Sequence, residues 1–459
     1  MNGRATRIAV GAVAGGLVAA LAARVIVSYG VLGAGMLVAV PVVVLALTNR
    51  WLLALACVVG GLAIPTDWLT GAYVGVPWLT LPRVLIAAGV VHVLARPRKT
   101  ILQLKTRLML PDVFVVTMFV CALLGLHLTD HSARLQFEYV VATPAMFYFI
   151  LRVMQLDEKE VVKVAVGAQV AALFAACTVF ADAVAGRELF LGPKNMYSAT
   201  WLGESFRPGG ILADPPRMGT ALAIVLCLAL FALPRVGAIM RCFLLTSIAV
   251  GAAGIVLTLT KSVLAAVLVV GFMIAVLHLG PGRAVGVTTL LGAVMGVAYM
   301  VLPRAVLERS LLRPETVGLR YDLLGLTLDG LRKFSPMEYL FGAGFLSTRD
   351  ISFSSAWTLA RSGTHDSFLT TFAETGILGL VGFVGFLGAA TLMGMKRAFR
   401  RGSDSDAGTV LAAVAIILGM TSLGYESIRS YVIMSECLGS ATLMIGLMAK
   451  RPEAGGLVE

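Results

Sequence analysis

Run after run of this chain stays apolar for long enough to cross a bilayer, and no other feature limits its folding as sharply. A helix needs about 20 apolar residues to span the hydrocarbon. Lipid cannot satisfy free backbone N–H and C=O groups, so runs of this kind fold as helices. They lie at 8–28, 31–47, 50–65, 79–95, 112–128, 137–152 and 161–185, then at 217–234, 239–258, 262–279, 284–302, 372–395, 409–424 and 430–449. The fold expected is all-α, a polytopic membrane helix bundle of about 12–14 transmembrane helices. Composition agrees, with 58% of the 459 residues hydrophobic and 14% charged, where a soluble domain carries about 25% charged. A soluble enzyme, a disordered chain and a nucleic-acid-binding module are thereby excluded. The six cysteines fall in apolar runs without CxxC pairs, so they read as small hydrophobes, not as disulfides or metal ligands. The first run has no obvious cleavage site and further spans follow at once, so no cleavable signal peptide is expected.

The net charge of +12 bears on sidedness, because short basic loops stay in the cytoplasm. The densest are Arg96, Arg98, Lys99, Lys105 and Arg107, and the cluster Lys396, Arg397, Arg400 and Arg401. An even span count with both termini cytoplasmic puts these on the inner side, together with Arg50 and Arg235. The chain then divides into N-terminal helices (1–185), a first outer loop (186–216), central helices (217–302), a large outer loop (303–371) containing amphipathic helices, and C-terminal helices (372–459).

Three segments facing outward carry polar patterns. In 365–379, His365 and Asp366 precede an apolar helix, with Thr364, Asp366 or Ser367 available as its N-cap. On a regular helix Gly376 and Gly379 return to the face of His365, and Glu374 falls opposite. The glycines would let a neighbouring helix approach, and His365 is either functional or a loop-capping group. In 203–219, Pro208, Gly209–Gly210 and Pro215–Pro216 rule out a plain helix. Arg207 stands there beside backbone N–H groups that could face an anion. In 318–333, Leu319, Leu323, Leu326 and Gly330 form one face of an interfacial helix carrying Arg320. A short turn at 257–262 adds Lys261. Cations from separate segments on one membrane face suggest an anionic ligand such as a lipid phosphate. No phosphate loop, dinucleotide fingerprint or zinc helix is present.

These segments, in this order, resemble the O-antigen ligase and polymerase superfamily of integral-membrane glycosyltransferases. FRPGGILADPPRMGTALA (206–223), LTLTKSVLAAVL (257–268), and GLRYDLLGLTLDGLRKFSPMEYLFGAGF (318–345) followed by HDSFLTTFAETGILGL (365–380) carry the resemblance. In the last, His365, Asp366, Gly376 and Gly379 match the ligase spacing. Asp366 stands where Asn, Ser or Gln is usual, Ala-Asp-Pro-Pro replaces an Asn-Pro-Asn-like stretch, and Lys261 replaces an arginine. The resemblance implies a polyprenyl-pyrophosphate-linked glycan donor and a glycan acceptor in a bacterial inner membrane. Arg207 and Arg320 would bind the pyrophosphate, with Lys261 a further contact. His365 would act on the acceptor hydroxyl in an inverting reaction needing neither metal nor cofactor, with Asp366, Gly376 and Gly379 in support. A chain-length regulator and a flippase would be partners.

Polymerisation of a surface polysaccharide is the leading expectation. A ligase that moves the finished chain to a lipid core or protein is the alternative, and a small-anion transporter a third reading. A transporter should place charged or broken elements near the bilayer midplane, whereas here the spans read as mostly clean.

Overall fold

Wherever the structure covers an expected span, that span is a helix. The structure is a computed structural model. It describes residues 49–63, 81–94, 108–125, 137–185, 189, 208–212, 214–280, 324–325, 327–344, 366–400, 403–423 and 430–450, with a few isolated positions between 282 and 293. The expected spans 8–28 and 31–47, nearly all of 284–302, and Arg207, Arg320 and His365 lie outside the described residues.

The helices are α1 (Arg50–Ala63), α2 (Leu81–Leu94), α3 (Leu110–Gly125), α4 (Thr143–Met154), α5 (Glu158–Ala185) and α6 (Pro215–Ala232). They continue as α7 (Ala238–Leu257), α8 (Lys261–Leu279), α9 (Pro336–Phe341), α10 (Ser367–Ala398), α11 (Ser403–Ser422) and α12 (Tyr431–Lys450). A π turn at Glu138–Ala142 leads into α4. Seven of them, α5–α8 and α10–α12, are long and apolar enough to cross a membrane, and α1–α4 form shorter apolar helices. Helices α10 and α11 begin at 367 and 403, ahead of the expected 372 and 409. Helical hydrogen bonding runs on through polar first turns that an apolar-run reading leaves out.

Lipid tails are as apolar as leucine, so burial from water cannot drive these helices together; close packing and interhelical hydrogen bonds must. Helix α5 supplies the close packing with a stripe of Ala165, Ala168, Ala172, Ala175 and Ala176, all fully buried. Helices α1, α6 and α7 pack against α5. Gln169 ties three helices: its Nε2 donates to Val225 O of α6 at 2.8 Å, and Ser247 of α7 donates to its backbone O at 3.1 Å. At the centre stand α6 and α12; 89% of the apolar window of α12 is buried, against 28% for α7 and for α8. The outer helices turn large side chains outward, as Ile377, Val381 and Val384 do on α10. In water such a surface would aggregate; in hydrocarbon it is the stable arrangement.

Ion pairs mark one end of the bundle. Arg235 donates to Glu158 at 2.7 Å and to Asp406 at 2.6 Å, and lies over the Phe231 ring at 4.0 Å. Arg50 donates to the carbonyls of Met154 and Gln155. Arg152 pairs with Asp112 at 3.0 Å, both buried, and Tyr148 donates to the same carboxylate at 2.5 Å. Ser405 donates to Ala398 O, which brings the α10–α11 connection to this end. The opposite end, where α10 and α12 start, is called the Asp366 end below.

Candidate functional site

Asp366 decides where α10 begins. Its backbone is extended (φ −138°, ψ 120°), and its Oδ1 accepts from Phe368 N at 2.8 Å and Leu369 N at 3.0 Å. Of the three expected caps it is the one used, and its negative charge suits the positive helix N-terminus. His365, one residue earlier, lies outside the described residues.

Nine residues on from Ser367, the helix breaks. Gly376 has φ 67° and ψ −171°, so α10 is two helical segments joined by one residue in a positive-φ conformation. A regular 100° step therefore does not carry from Gly376 on to Gly379, whereas Glu374 lies in the regular segment before the break and His365 lies outside the described residues. The break makes room for the end of α9. A Cβ at Gly376 would strike the Leu340 carbonyl, and a Cβ at Gly342 (φ 82°) would strike the Glu374 carbonyl and Thr375 N. Ala343 N donates to Ala373 O at 2.8 Å, closing the junction backbone to backbone. Only glycine fits either place at this φ. A Cβ at Gly379 would strike the Thr375 side chain of its own helix and meet Cys121 of α3 only at an ordinary 3.5 Å, whereas a Cβ at Gly382 would come within 2.8 Å of Met118 N, so it is Gly382 that lets α3 approach.

Beside the break, Thr371, Glu374 and Thr375 line a narrow crevice of about 20 Å³. Met118 and Ala122 of α3, Val140, Val141 and Pro144 at the π turn, and Met434 and Leu438 of α12 form its other walls. The crevice is apolar except for the Glu374 carboxyl and two threonine hydroxyls. Glu374 is 3% exposed.

The segment before α6 contains its own anion. Asp182, fully buried near the end of α5, accepts from Gly210 N and from Leu189 N, each at 2.8 Å. Thr178 Oγ1 accepts from Ile211 N at 3.0 Å. Two N–H groups of this segment, those of Gly210 and Ile211, are thus taken by Asp182 and Thr178. The Ala-Asp-Pro-Pro departure also has a local reason. Asp214 caps α6 by accepting from Arg217 N at 3.3 Å, and the two prolines occupy first-turn positions where no N–H is needed. Arg217 pairs with Asp214 at 3.6 Å.

Lys261 opens α8, exposed at the Asp366 end, after a turn in which Leu259 takes φ 51°. The turn packs on the start of α6, with a Cβ at Gly219 meeting Thr258 Oγ1 at 2.9 Å. A lysine at a helix N-terminus opposes the macrodipole, and charge and dipole there both attract an anion. Described parts of two of the expected segments, Pro208 and Asp366, and Lys261 of the short turn therefore stand at one end of the bundle.

In the large loop, residues 327–331 are helical, with Thr327 at 1% and Leu331 at 5% exposure, while Leu324 and Leu328 are exposed. Of the expected face, the described member Gly330 is half-buried. The buried stripe runs through positions 327 and 331, one residue off the expected 326 and 330, because the segment packs on protein as well as facing outward. Asp329 and Arg332 pair at 2.9 Å on the exposed side. Tyr339 of α9 stacks on Phe372 of α10, with ring centroids 6.0 Å apart.

Several polar groups escaped the sequence reading. Arg83 pairs with Glu138 at the Asp366 end, and Asp112 with Arg152 at the other. Each pair joins residues near the ends of expected spans, and following the alternation of spans would have brought them to a common level. Asp182, Glu374 and Glu436 are buried in helices, so the spans are less clean than they read. Among the described residues, no group of three or more His, Cys, Asp or Glu side chains is placed to hold a metal ion. No known protein-family model matches the chain, and no curated protein matches it.

Proposed function

We propose that the chain is a membrane glycosyltransferase that moves a glycan from a polyprenyl-pyrophosphate donor to a glycan acceptor, polymerising a surface polysaccharide. The observation that carries this reading is the construction of the Asp366 end. There α10 is capped at Asp366, broken at Gly376 and docked backbone to backbone by the large loop, and the cation-bearing turn at Lys261 and the tightly held loop before α6 stand at the same end of the bundle. Such an end is rigid where chemistry would need fixed geometry. It also directly follows His365 and Arg207 in sequence.

In this reading Arg207 and Arg320 neutralise the departing pyrophosphate, the work a metal ion often does elsewhere. Lys261 adds charge without the bidentate fork of arginine. His365 takes the acceptor hydroxyl's proton, for which imidazole is suited near neutral pH. Asp366 fixes the start of α10 and so the position of the residue before it. The donor is already activated and lipid-bound, so no nucleotide site is required. Ligation onto a different acceptor uses the same parts.

Arg207→Ala or Arg320→Ala should abolish polymer while protein accumulates normally; a normal polymer ladder removes that residue from pyrophosphate binding. His365→Ala should keep donor binding and stop transfer, and continued turnover would exclude it as the base.

A further inference from the structure

Five of the six buried side-chain nitrogen and oxygen atoms without a hydrogen-bond partner among the described residues belong to two adjacent helices. They are both carboxyl oxygens of Glu436, with the hydroxyls of Ser435 and Ser440 on α12 and of Ser422 on α11. Buried polar atoms are almost always satisfied, so several orphans together mark a site and not a packing accident. Ser440 lies one turn along from Glu436 on the same stripe of α12. Ser422 ends α11 at the level where α12 starts. Glu436 is 1% exposed and sits about 8 Å into α12, by helical rise, from the Asp366 end.

Among the described residues packed against it, no free countercharge is present. Helices α1, α4, α6 and α11 and the π turn pack against α12, and the charged groups described on them are engaged elsewhere. Arg50 binds the Met154 and Gln155 carbonyls, and Arg152 pairs with Asp112. Glu138 pairs with Arg83, Arg217 with Asp214, and Asp406 with Arg235. The remaining titratable groups there, Cys57, Tyr148 and Cys227, with Cys437 beside Glu436, bring no positive charge. An ionised carboxyl so placed loses its hydration with nothing in return.

We propose that the buried Glu436 carboxyl is a proton-binding site inside the membrane span. Binding is one step: a carboxylate oxygen lone pair takes a proton from hydronium, one O–H bond forms as the hydronium O–H bond breaks, and water leaves. This site does not depend on the transferase reading.

Infrared spectra of the purified full-length protein and of Glu436→Gln test it. At neutral pH the difference spectrum should contain the carbonyl stretch of a protonated carboxylic acid, present in the parent protein and missing from the variant. The band should be indifferent to sodium. Glu436→Gln, a neutral group of the same shape, should fold with unchanged helical circular dichroism. A difference spectrum showing only carboxylate bands, a band removed by sodium, or a Gln variant that fails to fold would each overturn the proposal.

Discussion

Gly376 and Gly342 are each held in place by the backbone of the other's segment, so neither can accept a side chain. Gly376→Ala should cost about 1–3 kcal/mol from a backbone region open essentially to glycine alone, with overpacking against the Leu340 carbonyl adding to it. Gly388, on the same helix, has nothing within 4 Å of an added Cβ. Gly388→Ala should therefore leave the thermal midpoint equal or raised while Gly376→Ala lowers it; equal midpoints for the two would deny the junction. At the other end, Arg152→Ala strands the buried Asp112 carboxylate and should cost about 3–5 kcal/mol. Asp112→Ala with Arg152→Ala should cost less than the two singles summed, as thermal unfolding of the purified variants would register. The sequence reading found Asp366 as a cap because side-chain capping is a local rule. It did not foresee the break at Gly376, because a helical wheel assumes a regular backbone, and only the approach of a distant segment reveals why position 376 is not regular.

Helix α9 is short and depends on its cap. Ser335 accepts from Glu338 N at 3.3 Å, and the Glu338 carboxylate accepts from Ser335 N at 2.7 Å, a reciprocal capping box. Those bonds to Ser335 hold the Glu338 carboxyl below its usual 4.5. A depressed carboxyl contributes stability that is present above its unfolded value and is lost as pH falls through the folded one. Amide hydrogen exchange in 336–341 should accordingly speed up below the ordinary carboxylate range in the parent protein. In Glu338→Gln this pH dependence should be absent; identical profiles would show that the box does not hold the helix. The transmembrane elements were readable because apolar length is nearly the whole requirement for a span. The stretch 208–210 was readable as irregular from Pro208 and its glycines, whereas Pro215–Pro216, read as turn formers, open α6. The internal anion of that stretch was not readable, since Asp182 lies on another helix and nothing local links the two.

For the whole molecule, sidedness follows from alternation. Arg50, Arg235 and the α10–α11 connection share one end, and the loop segments preceding α6 and α10 share the other. Cysteines engineered into 303–371 should react with an impermeant reagent added outside, and those in 396–408 should not; the reverse pattern would invert the topology. Basic loops made this arrangement legible, whereas interhelical polar contacts such as Gln169 with Ser247 depend on which helices neighbour each other, which no span-by-span reading supplies. The transferase proposal is tested most directly by mass spectrometry of polyprenyl-pyrophosphate-linked glycans from cells with and without the gene. Loss of the gene should build up single-repeat lipid-linked units, and build-up of long lipid-linked chains would instead favour the ligase. An unchanged lipid-linked glycan pool would contradict the transferase altogether.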